Sequence, residues 1–148
     1  MAEKIRESAR KVQNQLDMED AKYRSVYLPI VRDQEPRSLE VFDFADANTV
    51  TGQRESSNTA NQALYMMNNR FVVAQSEAFA VRIAKHDPQT KERLRYAFML
   101  AYGRAPLSAE RTAIASFLKS YTNTASGPET MAAVCQSLFA SAEFRYID

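Results

Sequence analysis

The sequence predicts an all-α fold, a helical bundle of about five to six helices with an extended N-terminal arm and one long polar loop. Only 3 of the 148 residues are glycine, fewer than the turns of a β-sandwich or barrel usually need. Alanine, methionine and leucine, which favour helices, are frequent. Apolar residues also recur at steps of three and four, as they do on a helix that buries one face.

The first predicted helix covers residues 3–17. Its apolar stripe consists of Ile5, Ala9, Val12 and Leu16. The rest of this helix is charged, so we expect the stripe to dock on the domain body or on a neighbouring domain. We therefore divide the chain into residues 1–22, which contain this N-terminal helix, and residues 23–148, a single helical domain.

An extended arm and a polar loop follow. The stretch "YRSVYLPIVRD", residues 23–33, has the β-branched, alternating pattern of an extended segment. Pro29 cannot donate to a strand ladder, so the arm either lies across the helices or forms a short edge strand. Residues 43–58 form a polar loop with one glycine, Gly52.

From Thr59 to about Ala84 the pattern becomes helical, with a break near Asn68 and Asn69, whose side-chain amides compete for backbone groups. The predicted buried stripe consists of Leu64, Met67, Phe71, Ala74 and Ala78.

Three further helices complete the bundle. Pro88 suits the first turn of one, Gly103 suits its end, and Ser108 is the expected N-cap of the next. The second of these helices is predicted to bury Ile114, Phe117, Leu118 and Tyr121. The last is predicted to bury Met131, Val134, Cys135, Leu138, Phe139 and Ala142.

Charge and hydropathy argue against two classes of partner. The net charge is only +1, which argues against an electrostatic grip on nucleic acid or on an anionic membrane. No apolar run approaches the roughly 20 residues that cross a bilayer. The charged N-terminus is no signal peptide, so an exported native protein would carry its signal on sequence outside this chain.

The sequence contains no recognisable catalytic or metal-binding constellation. His86 is the only histidine and is expected to be exposed or to cap a helix. Cys135, the only cysteine, is expected to be a small buried hydrophobe, and Met66 and Met67 are expected to fill the core. We assign no catalytic residue, no metal ligand and no cofactor, which favours a role other than catalysis.

The polar loop nevertheless contains a candidate binding site. Asp43, Asp46 and Glu55 are carboxylates within it, but their spacing matches no calcium loop. These groups either bind a ligand, or bond with neighbours such as Arg54 and cap the next helix. Arg24 adds a cation among aromatic residues, a combination that can stack on sugars or bases, although such residues more often pack on the helices. The candidate binding residues are Asp43, Asp46, Arg54, Gln62 and Arg24.

Four stretches together resemble a known family. They are "YRSVYLPIVRD", "LEVFDFADANTVTGQRESSNTANQALYMMNNRFV", "YGRAPLSAE" and "SLFASAEFRYID". They are similar to the C-terminal part of a planctomycete domain of unknown function, number fifteen fifty-three in that series, and the similarity runs from Tyr23 to Asp148. The family pattern reads roughly R-S-x-Y-L, F-D-x-P-D, R-x-x-T-x-x-Q-A-L, L-N-x-x-F-V and G-R-x-P.

Seventeen positions agree with this pattern. They are Arg24, Ser25, Tyr27, Leu28, Phe42, Asp43, Asp46, Arg54, Gln62, Ala63, Leu64, Asn68, Phe71, Val72, Gly103, Arg104 and Pro106. Three positions depart from it: Ala45 and Ala60 stand where the family has proline, and Met67 stands where it has leucine. Residues 2–17 also resemble a helix that lies upstream in the family.

The resemblance implies a context rather than a reaction. Such domains end large exported proteins, downstream of cytochrome-c-like domains, so the implied location is periplasmic or exported and any haem belongs to another domain. The first hypothesis is a non-catalytic helical interaction or structural module that docks on upstream domains of the same native protein or on a protein partner. The alternative is a ligand- or carbohydrate-binding or enzymatic domain that uses the polar loop Asp43–Gln62.

Overall fold

The structure, a computed structural model, describes residues 2–14, 24–27, 37–45, 52, 57, 59–121 and 127–146. None of these residues lies in a strand, which confirms the all-α class. The elements in chain order are α1 (Ala2–Asn14), a 3₁₀ turn (Ser25–Tyr27), α2 (Arg37–Val41), α3 (Ala60–Asn68), α4 (Arg70–Ala84), α5 (Thr90–Tyr102), α6 (Ser108–Tyr121), α7 (Gly127–Ala140) and α8 (Ala142–Arg145).

The chain divides into two compact units. The first contains Met1–Tyr65 and Asn69–Phe71, and the second contains Met66–Asn68 and Val72–Asp148. In the first unit, α1 carries an ion pair between Lys11 and Glu7 at 3.3 Å, and Ile5 is 62% exposed. Most of the predicted arm and polar loop lies outside the described residues.

The predicted break between α3 and α4 is confirmed at Asn69. Thr59 is the N-cap of α3, where its side chain accepts a hydrogen bond from the Gln62 N–H at 3.4 Å. Asn69 ends α3 by donating its N–H to the Tyr65 carbonyl at 2.9 Å. Its side-chain oxygen accepts from the Phe71 N–H at 2.8 Å, so one asparagine ends α3 and satisfies a donor at the start of α4.

The predicted buried stripe along these two helices is wrong. Leu64 and Met67 are more than half exposed, and Met67 therefore does not fill the core as expected. The buried positions are instead Gln62, Val72, Ser76, Ala80 and Ile83. Two of them are polar, and Ser76 is satisfied within its own helix, where its Oγ donates to the Val72 carbonyl at 2.8 Å. Apolarity alone therefore selects the wrong face.

The core of the second unit lies among α4, α5 and α7. It consists of Ala80, Ile83, Ala97, Phe98, Cys135 and Leu138. Gly103 ends α5 as predicted, in the left-handed conformation with φ 71°. Pro88 does not occupy the first turn of α5, because the helix begins two residues later at Thr90.

The buried stripe predicted for α6 is not observed, whereas part of the stripe predicted for α7 is. No residue of α6 is buried, and Phe117 and Tyr121, expected in the core, are more than one third exposed and stack with ring centroids 5.0 Å apart. In α7, Val134, Cys135 and Leu138 are buried as predicted. Met131 and Phe139 are only partly buried, and Ala142 is exposed beyond the end of α7. The final helix is not continuous: Ser141 interrupts it and caps α8, accepting from the Phe144 N–H at 3.1 Å.

Candidate functional site

Asp43 lies at the C-terminal end of α2, in the first unit. The Phe44 N–H donates to the Leu39 carbonyl at 3.1 Å, and the Asp43 N–H donates to the Glu40 carbonyl at 3.2 Å. This pair of bonds is the Schellman arrangement, which requires a left-handed residue after the helix. Asp43 is that residue, with φ 54°. Aspartate is one of the few non-glycine residues that adopt this conformation readily.

The side chain of Asp43 forms hydrogen bonds with residues far along the chain. Asp43 Oδ2 accepts hydrogen bonds from the Ser57 N–H at 2.9 Å and from Ser57 Oγ at 2.7 Å. The same oxygen accepts from Gln62 Nε2 at 3.2 Å. Gln62 is only 1% exposed, so its amide needs internal partners. We call Asp43, Ser57 and Gln62 the clasp.

An aromatic contact joins the same two helices beside the clasp. The ring of Phe42 packs edge-on against the ring of Tyr65, with centroids 5.5 Å apart and planes at 90°. Gln62 and Tyr65 are three residues apart on α3 and therefore share one face. The end of α2 is thus attached to that face through one polar and one aromatic contact.

The predicted site residues have different positions in the structure. Asp43 and Gln62 are in contact, through the side-chain bond just described. Arg24 is exposed, and no described residue forms a side-chain hydrogen bond or ion pair with it. Asp46 and Arg54 lie outside the described residues. Ser57 was not predicted, since the sequence offers two adjacent serines and nothing that distinguishes them.

A second polar cluster surrounds Arg104 in the second unit, and the sequence reasoning missed it. The Arg104 guanidinium donates to Glu110 through Nη1 at 2.9 Å and Nη2 at 2.7 Å. It also donates to Glu143 through Nε and Nη2, both at 2.7 Å. The hydrogen bonds that Arg104 donates, first to Glu110 and then to Glu143, raise its pKa above the ordinary value. Arg104 therefore joins the start of α6 to α8.

The surroundings of Arg104 explain its fixed orientation. Its guanidinium lies 5.7 Å from the ring centroid of Phe98 and 5.4 Å from that of Tyr102. Glu110 also accepts from the N–H of Leu107, the residue before α6, at 2.6 Å. The prediction that Ser108 is the N-cap is wrong, because Ser108 is already the first residue of α6. Its hydrogen bond with Arg104 lowers the pKa of the Glu110 carboxyl.

Tyr102 fixes the end of α7. Its hydroxyl lies 3.0 Å from the Leu138 carbonyl and 2.9 Å from Ser141 Oγ. Ser141 Oγ donates to that carbonyl at 2.8 Å, which leaves it able to accept from Tyr102. Burial raises the pKa of Tyr102.

The remaining candidates for chemistry are structural in this fold. Cys135 is fully buried, and burial raises the pKa of its thiol to about 12. His86 is exposed as expected, and its ring stacks on Tyr96 with centroids 3.8 Å apart. Within the described ranges, no three His, Cys, Asp or Glu residues are placed to hold a metal ion. No helix that the structure describes is long and apolar enough to span a bilayer.

Comparison with known proteins identifies a family but no characterised relative. No curated protein and no solved structure matches the chain significantly. A family profile described as "PSD1: Protein of unknown function (DUF1553)" matches residues 2–118. The match begins upstream of Tyr23 and so includes the residues of α1. Because it spans well over half of the chain, the protein belongs to the DUF1553 family.

Proposed function

We propose that the chain is a non-catalytic helical module that forms the C-terminal part of a larger exported planctomycete protein with cytochrome-c-like domains. The observation that best supports a non-catalytic role is the clasp, in which the Asp43 carboxylate accepts three hydrogen bonds from Ser57 and Gln62. The most suggestive polar groups of the sequence thereby hold α2 against α3. The exported, cytochrome-linked context rests on the family resemblance.

Exposed apolar side chains in the first unit support a docking role. Ile5 on α1 is 62% exposed, and Val26 and Tyr27 are 74% and 75% exposed. Large apolar groups left in water favour burial against another surface. We propose that α1 docks on an upstream domain of the same native protein or on a protein partner.

Hydrogen exchange on two proteins tests this docking: the 148-residue chain alone and the native protein with its upstream domains. The proposal expects the α1 amides to exchange at least tenfold more slowly in the native protein, with α5 amides as an internal reference that does not change. Equal α1 exchange in both would contradict docking.

Cell fractionation of the full-length native protein tests the exported context. The protein is expected outside the cytoplasm, with haem absorbance. Deleting residues 1–148 should preserve the absorbance, and deleting the cytochrome-like region should remove it. A cytoplasmic protein without haem would contradict the proposal.

The alternative is a ligand- or carbohydrate-binding site in the loop Asp43–Gln62, or an enzymatic site in the same loop. It predicts that Arg54→Ala abolishes binding of a sugar on a glycan array without lowering the melting temperature. The clasp proposal predicts that neither the parent chain nor Arg54→Ala binds a sugar on the array.

A further inference from the structure

The second unit contains a cleft of about 810 Å³ that is separate from the clasp and from the Arg104 cluster. It lies between the end of α4 and the beginnings of α5 and α7, with one residue of α6 on its wall. Its apolar lining comes from Ala80, Val81, Ala84, Leu118, Met131 and Ala132. Small-molecule sites typically enclose about 300–1,000 Å³ and are mostly apolar, so this cleft has the size and lining of such a site.

Small apolar side chains leave much of the cleft open. Three of the six apolar residues are alanines, and Leu118 is the only contribution of α6. Lining atoms without a partner forgo dispersion contacts, and an apolar ligand would restore them.

The charges at the cleft indicate which kind of ligand fits. Lys85 and Arg93 both line it, on either side of the short turn that joins α4 to α5. Arg93 Nε donates to the Asp87 carbonyl, which fixes the base of the guanidinium at that turn. Neither cation has a carboxylate within 4.0 Å among the described residues. One end of the cleft therefore presents two positive charges that have no ion-pair partner in the part of the chain that the structure describes.

Two carboxylates also line the cleft. Glu77 lies on α4, eight residues before Lys85, which directly follows the helix, and a rise of about 1.5 Å per residue separates the two by about 12 Å. Glu129 lies in the first turn of α7, where the helix dipole favours a negative charge. The positive end of the cleft at the α4–α5 turn is thus separated from Glu77 by apolar wall.

We propose that this cleft binds a small apolar molecule that carries one anionic group. The apolar body lies along Ala80, Val81, Ala84 and Leu118. The anionic group lies at the α4–α5 turn, beside Lys85 and Arg93. This site is independent of the structural role proposed for the clasp.

Two fluorescent probes with similar aromatic bodies test the proposal. 8-Anilinonaphthalene-1-sulfonate carries a sulfonate, and N-phenyl-1-naphthylamine lacks it. Both are expected to bind the whole chain saturably with one site. The charged probe should bind about three- to tenfold more tightly, as expected for one partly exposed charge contact.

Four variants, one of them a control, locate the binding. Ala84→Trp fills the cleft and should weaken both probes at least tenfold, and Val81→Trp serves the same purpose if that variant does not fold. Lys85→Gln should remove most of the preference for the charged probe and leave the neutral probe unchanged. Lys91→Gln is the matched control, because Lys91 is exposed on α5 and does not line the cleft.

Anilinonaphthalene sulfonate also binds loosely packed states, so the site must be mapped on folded protein. Amide shifts in ¹H–¹⁵N spectra are expected to change at the ends of α4 and α6 and the starts of α5 and α7. Shift changes elsewhere, or titrations that do not saturate, would overturn the proposal. Equal affinity of both probes, or Ala84→Trp and Val81→Trp chains that still bind, would also overturn it.

Discussion

The side-chain amide of Gln62 donates to the carboxylate of Asp43 at 3.2 Å, across a separation of 19 residues. Asp43 also occupies the left-handed position that ends α2. Backbone conformation and side-chain bonding thus depend on the same residue, and this coupling allows specific predictions.

Ser57→Ala removes the hydroxyl donor of the clasp and keeps the backbone N–H donor of the same residue. Because the lost bond, at 2.7 Å, reaches a carboxylate, the free energy of unfolding should fall by about 1–2 kcal/mol. Urea denaturation followed by far-UV circular dichroism measures it. Ser116→Ala, at an exposed position on α6, is the control and should leave stability unchanged or slightly raised.

Gly103→Ala tests the end of α5. A Cβ at this position meets no atom within 4 Å, so only the positive φ opposes the substitution. The expected loss is about 1 kcal/mol of unfolding free energy, the usual cost of a left-handed L-residue. Gly127→Ala has equal space and no positive φ, and it should be neutral or stabilising. Equal effects of the two substitutions in thermal melts would contradict this account.

The Arg104 cluster should make the stability of the folded protein depend on pH in the acid range. The pKa of Glu110 is lower in the folded protein than its ordinary 4.5, because of Arg104. Its stabilising contribution is therefore complete above pH 4.5 and is lost as the pH falls through the folded pKa. Melting temperatures measured from pH 7 to pH 2.5 should fall less in Glu110→Gln than in the parent chain.

Two variants serve as comparisons for that series. Glu77→Gln changes an exposed carboxylate that forms no ion pair among the described residues, and it should keep the acid dependence of the parent. Glu143→Gln should lower the melting temperature at pH 7 less than Glu110→Gln does. The reason is that Glu110 also accepts from the Leu107 N–H. The reverse order would contradict the assigned role of Glu110.

Cys135 should be inert in the folded protein. It is fully buried, and burial raises the pKa of its thiol to about 12. A thiol without thiolate character or access reacts slowly. Reaction with Ellman's reagent at pH 8 should therefore follow unfolding and reach one thiol per chain only in denaturant. Rapid reaction of the native protein would show that the α4–α5–α7 core is wrong.

Three local signals in the sequence predicted the ends of helices correctly, whereas Pro88 and Ser108 did not. Thr59, Asn69 and Gly103 each act on backbone groups within four residues, and all three positions begin or end a helix as expected. The helix period was also visible along α4, but its buried face was not, because that face includes the polar side chain Ser76.

Features that depend on distant residues could not be predicted. Arg104 pairs with Glu143, 39 residues later, and no short spacing indicates that pair. The stripe of α6 is amphipathic, yet its burial depends on what the neighbouring helices leave open. For the candidate site, the sequence identified Asp43 and Gln62 but not that Ser57 joins them.

The central claim is that the clasp is architectural, and a double-mutant cycle between Asp43 and Gln62 tests it most directly. Asp43→Asn keeps a residue that tolerates the left-handed conformation, and Gln62→Met keeps the side-chain length without the amide. Native-state hydrogen exchange of the α3 amides measures local stability in both single variants, the double variant and the parent. We expect each single variant to lose about 1–3 kcal/mol and the pair to show a coupling of about 1 kcal/mol or more. Single variants that leave the protection of the α3 amides unchanged, with a coupling energy near zero, would contradict the claim. That result would support a site that is free to bind a ligand.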